Sequence, residues 1–179
     1  LQTFKDAIPN STTEQSVRIL IIAAWSGAQL SLYYDPSRVG EWQLPLADGW
    51  TRCEDVRLKA RMMPTYLAML VETGNEAKAT SVLDFEDPTA DLLFDTAQEL
   101  VVLVDRPNPR PAASKLLLQV IERLRKLSAT EENPALDLWE ATAADVAGES
   151  ARAVKMYRRL LKKTPADVAI RRKLAKSLG

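Results

Sequence analysis

Apolar residues recur at steps of three and four along most of this chain, and that spacing leaves the helix as its main folding option. Leu117, Val120, Ile121 and Leu124 fall on one side of a helix, where a strand would need strict alternation. Leu92, Leu93, Ala97, Leu100, Val101 and Val104 repeat the pattern upstream. Ala153, Val154, Tyr157, Leu160 and Leu161 repeat it downstream. No segment of strand period longer than about five residues competes with these faces. Composition agrees: Ala (24) and Leu (25) dominate the 179 residues, and both lose little side-chain freedom in a helix. Hydrophobic residues make up 46% of the chain, enough to bury a core and to exclude disorder for most of it. The expected fold class is all-α.

Helix breakers set the punctuation. Cap residues at 10–13 open a helix that runs to Tyr34, and Gly27 is expected to divide it. Residues 35–50 hold two Pro, two Gly and two Trp and read as turns, with a short extended piece at 41–44. Helix resumes at 51 and ends near Met62. Pro64 has no backbone N–H and is placed in the first turn of a new helix closed by Gly74 and Asn75. Further helices are expected at 76–83, 89–104, 112–127, 135–147, 149–163 and 167–178. A proline-rich loop at 105–111 and a polar one at 128–134 separate three of them. Helix-pair turns recur every 35 to 40 residues or so. Single pairs cannot bury their apolar faces alone, so stacked antiparallel helical hairpins are expected. The division is into an N-terminal helical segment with its irregular Pro/Trp loop (1–50), degenerate hairpins (51–133) and a C-terminal repeat with a capping helix (134–179).

The C-terminal pair carries a residue-level signal. Gly148, Ala153, Tyr157 and Pro165 supply an interhelical turn, a small residue at a close crossing, an aromatic knob and a helix stop. Trp139, Thr142, Ala143 and Val146 form the facing stripe of the preceding helix, and Leu174, Ala175 and Leu178 begin the next. This spacing resembles the tetratricopeptide repeat. Gly74, Ala79 and Leu83 resemble a second, degenerate copy in which Pro88 comes too early for the pattern, while 1–62 shows no usable match. The resemblance implies an α-solenoid that binds peptides or partner proteins and performs no catalysis of its own.

The function classes narrow by what is missing. Histidine is absent, which excludes Ser-His-Asp triads, Cys-His pairs, His-ligated zinc and proximal-His haem. Cys53 is the one cysteine, so no internal disulfide or four-thiolate metal site forms within a chain, and a single thiol fixes no compartment. Arg52 and Arg57 stand near it, but with no histidine to act as base an inert, buried thiol is expected. The six Gly are isolated from one another and build no phosphate loop. No catalytic residue, cofactor or metal is therefore expected. The apolar stretch 19–25 is preceded by Arg18 and followed by Ser26, Gly27 and Gln29, and reads as a buried helix, not a membrane span. Trp42 and Trp50 are expected to plug helix pairs together, and Trp25 and Trp139 to lie in the core. The chain opens at Leu1 without a basic leader and is expected to be a fragment of a longer protein or a processed form.

Charge supplies the remaining candidates. The sequence is neutral overall, yet net −9 before Ser150 and +9 from there on. Arg152, Lys155, Arg159 and Lys162 are expected opposite the apolar face of their helix, as a partner-binding row joined by Arg171, Arg172, Lys173 and Lys176. A protein or peptide partner, acidic by preference, fits that row. Head-to-tail self-association with the acidic stretch of another copy is a second use of it. Nucleic acid ranks lower, because the acidic body repels a long polyanion and no aromatics interleave with the cations. Asp91, Asp95 and Glu99 form an acidic stripe, preceded by Asp84, Glu86 and Asp87. Two such carboxylates, as general acid and base, are the alternative reading of a hydrolase on a helical scaffold.

Overall fold

The computed structural model describes residues 14–85, 88–127 and 133–178. Among these, nine α-helices and one 3-10 helix carry the chain, and no strand forms. The helices are α1 (Glu14–Tyr34), α2 (Gln43–Arg52), α3 (Val56–Glu72), α4 (Glu76–Phe85), α5 (Ala90–Val104), α6 (Pro111–Leu127), α7 (Pro134–Val146), α8 (Ser150–Lys163) and α9 (Val168–Leu178), with the 3-10 helix (Pro36–Trp42) between α1 and α2. The expected caps at 10–13, and most of the polar loop at 128–134, lie outside the described residues. Two compact units result, residues 1–87 and 88–179. The boundary expected at 50 falls inside α2, and that at 133 falls at the N-cap of α7, which packs on α6 within the second unit.

The first unit is organised around α3. Every residue from Met62 to Val71 is buried, so this part of the helix is covered on all sides, while Val56, Arg57 and Arg61 in its first turns are exposed. Its neighbours are α1, α2, α4 and the 3-10 helix. Pro64 lies inside α3, where a helix start was expected. A proline there removes one backbone bond and costs about 3 kcal/mol. Burial of Met62, Met63, Tyr66, Leu67, Met69 and Leu70, each contributing about 1.5–3 kcal/mol, outweighs that cost and keeps the helix continuous. Asp55 caps α3 by accepting from the N–H groups of Arg57 and Leu58 at 3.0 and 3.1 Å. Gly74, at φ +78°, reverses the chain into α4.

Residues 36–50 are helical, contrary to the turns and extended piece expected over 35–50. The two prolines explain the difference. Pro36 begins the 3-10 helix, and Pro45 sits in the first turn of α2. First-turn N–H groups have no intrahelical acceptor, so neither proline removes a bond. Trp42 and Trp50 are buried, as their apolar neighbours suggest. Trp50 stacks on Tyr66 with centroids 4.9 Å apart, and the Trp42 indole N–H donates to Ser31 Oγ at 3.1 Å. Gly27 does not divide α1. It lies under the Trp42 ring, where a Cβ would overlap the ring carbons. Trp25 is half-buried, its N–H donating to Thr65 Oγ1 at 3.0 Å.

The second unit consists of the α5–α6 and α7–α8 hairpins with α9 packed on α8. Thr89 caps α5, accepting from the Leu92 N–H, and Asn133 caps α7, accepting from Ala135 and Leu136, with Pro134 in its first turn. Gly148, at φ +81°, makes the α7–α8 turn, and the Glu149 N–H closes it on the Ala144 carbonyl at 2.8 Å. On α8 the core set is Ala153, Met156, Tyr157 and Leu160; Val154 and Leu161, expected inside, are half-buried. On α5, Thr96 and Leu103 are buried where Leu92 and Val101 were expected. Trp139 is half-buried against Phe94, with centroids 5.2 Å apart. All four methionines of the chain (Met62, Met63, Met69 and Met156) are buried.

Candidate functional site

On α8, 100° per residue separates two cation rows that a coarse reading merges. Lys155, Arg158 and Lys162 stand in solvent. Arg152 and Arg159 lie seven residues apart on a flank that turns towards α7. There they meet Asp137, fully buried, and Glu140, 7% exposed, which project together one helical turn apart. The four residues Arg152, Lys155, Arg159 and Lys162 therefore do not form one row opposite the core. Two are ion-paired to the buried acids of α7 with side chains 36 and 39% exposed, and two are displayed.

The internal cluster joins three helices. Arg125, from α6, places its guanidinium 2.7 Å from Asp137 Oδ1 and 2.9 Å from Glu140 Oε2. Arg152 donates through Nε to Glu140 Oε1 at 2.9 Å and reaches Glu149 at 3.2 Å. Arg159 Nε stands 3.5 Å from Asp137 Oδ2, an oxygen that accepts no hydrogen bond among the described residues. Burial works against the charge of Arg125 and of Arg152. Their carboxylate partners outweigh it and lift both above the ordinary arginine value. Two buried anions are thus matched by permanent cations. This cluster was missed in the sequence. Its signal is Asp137 at i, i+4 and i+7 with Ala141 and Ala144, an acid on a stripe of small residues that are themselves buried.

The terminal helix extends the displayed row. Arg171, Arg172 and Lys176 of α9 are exposed. Lys173 turns inward instead, with Nζ 3.1 Å from Thr142 Oγ1 and 3.5 Å from Asp105. Ser177 donates to Asp145 at 2.7 Å, which with Lys173 ties α9 to α7.

The other candidates are placed as follows. Asp91 and Asp95 are exposed on α5 and Glu99 is half-buried; Asp84 is exposed on α4, and Glu86 and Asp87 lie outside the described residues. No group of three or more metal-ligating side chains occurs among the described residues. Cys53 is buried at an open pocket of about 690 Å³ lined by Val17, Arg18, Ile21, Arg52, Glu54, Asp55 and Leu58. Burial pushes its thiol above the ordinary value, more than the nearby cations lower it. Arg52 pairs with Asp48 at 3.3 Å, and Arg18 with Asp55 at 3.1 Å. No described helix is long and apolar enough to cross a membrane. The sequence matches no family model, and comparison with curated proteins and with solved structures returns no match.

Proposed function

We propose that this chain is a non-catalytic protein–protein interaction scaffold whose second unit presents the cations of α8 and α9 to an acidic segment of a partner. One observation carries the reading: the sorting of cations on α8. Arg152 and Arg159 are engaged by Asp137 and Glu140, which fixes the helix against α7. Lys155, Arg158 and Lys162 stay in solvent on that fixed helix, as do Arg171, Arg172 and Lys176 on α9. Cations mounted on rigid helices recognise an acidic chain without the cost of first ordering their own backbone, and they steer its approach over about 8–10 Å at physiological salt. The resemblance of the α7–α8 residues to the tetratricopeptide repeat favours the scaffold class. Gly148 turns the hairpin, and Ala153 and Tyr157 are fully buried at the positions that family gives to a close crossing and an aromatic knob. The lack of histidine and the raised Cys53 thiol speak against a nucleophile.

The test is a titration of the chain with an acidic peptide and with a short DNA duplex at two salt concentrations. The variant is Lys155→Glu/Lys162→Glu, chosen because neither residue joins the internal cluster. Peptide binding at low salt that falls at least tenfold in the variant is the expected result. Submicromolar duplex binding lost in the same variant, with the steep salt dependence of phosphate contacts, would replace the reading with a nucleic-acid one. Binding of neither ligand would remove it.

A further inference from the structure

Helix α1 is apolar on two opposite faces; among the described residues one is buried and the other is largely exposed. Ile21, Ala24, Ala28 and Leu32 are buried. On the other side Ile19, Ile22, Leu30 and Tyr33 are 57, 40, 58 and 44% exposed. With Ser26, also exposed, they span an arc of about 80° and a length of about 21 Å. A helix apolar all round normally has both sides covered.

The order along the stripe says what covers it. Ile22 and Leu30 lie four residues either side of Ser26, and Ile19 and Tyr33 lie seven either side. A stripe symmetric about its centre is self-complementary under a two-fold axis through that centre. Two antiparallel copies bring Ser26 against Ser26, where the small side chains let the axes approach to about 8 Å. Ile22 then meets Leu30 of the second copy, and Ile19 meets Tyr33. No charge occurs between residues 19 and 34 to oppose its own image. With Tyr34 at the edge, 83% exposed, the surface offered is roughly 500 Å² per copy, or about 1,000 Å² between two. That is the lower bound for a specific interface and suits a reversible dimer. A lipid surface is the poorer match, because surface helices rely on flanking cations. The one cation of α1, Arg18, is held by Asp55.

We infer that this chain forms an antiparallel two-fold dimer through the outer face of α1. Sedimentation equilibrium of the full chain from about 1 to 300 μM tests it, with Ile22→Lys and Leu30→Glu as variants. These side chains are exposed, so helical circular dichroism is expected to be unchanged. The wild type is expected to dimerise in the micromolar range, and each variant at least tenfold more weakly. An equimolar mixture of the two is expected to recover association. Only the antiparallel arrangement sets the new ammonium at position 22 of one copy against the new carboxylate at position 30 of the other. A monomer throughout, or a dimer untouched by either variant, would overturn the inference. So would a mixture no stronger than its components, or flotation of the monomer with lipid vesicles that is lost in Ile22→Lys.

Discussion

Asp137 has no exposed surface and Glu140 almost none, yet both keep carboxylates that must be matched inside the second unit. Arg125 does most of this, touching both acids, and its own side chain is 31% exposed. Removing it leaves two buried anions short of a partner, a loss far larger than the net value of the pair. Arg125→Met is expected to lower the unfolding free energy by about 3 kcal/mol in urea denaturation, the low end of the range because the guanidinium is partly wet. Replacing Arg125, Asp137 and Glu140 together by apolar residues of similar volume is expected to cost less than that single change. A single variant as stable as wild type would show that the acids are held by Arg152 and Arg159 alone.

At the scale of elements, α1 and the 3-10 helix meet at Gly27 and Trp42. In an exposed helix Gly→Ala gains up to about 1 kcal/mol. Here the added methyl enters the Trp42 ring, which is buried and bonded to Ser31 and cannot retreat cheaply. Gly27→Ala is therefore expected to destabilise by about 2 kcal/mol, read as a lower thermal midpoint. A higher midpoint would mean that the ring gives way. Helices α5 to α9 were legible in the sequence because their starts carry Thr89, Pro111 and Asn133-Pro134 and a reversal falls at Gly148, all local signals. Residues 35–50 were not, because proline reads alike at a helix start and in a turn, and only burial of Trp42, Leu46 and Trp50 decides between them. Pro64 was misread for a related reason. Its local cost is fixed, while the burial that offsets it comes from α1, α2 and α4. The cation row was half legible: sequence periodicity locates Arg152 and Arg159 on the helix surface, but the acids that claim them sit on another helix.

Across the whole molecule the chain builds two cores, one centred on α3 and one within the α5–α9 hairpins. The methionines are divided between them, three in α3 and Met156 in α8, all buried. A thioether reacts with peroxide only when the oxidant reaches it, and the product is a polar sulfoxide that does not fit back into an apolar site. Each core thus contains its own chemical recorder of opening. In the native chain all four are expected to oxidise at least tenfold more slowly than free methionine. Met62, Met63 and Met69 are expected to react as one set, because exposing any of them requires α3 to leave its neighbours. Peptide mapping after peroxide pulses at rising urea reads the two sets separately, and rapid native oxidation of one α3 methionine alone would contradict the all-round burial of residues 62–71. Sulfoxide, once formed, holds its core open, so oxidation of one α3 methionine is expected to expose the other two and to spread within the first unit.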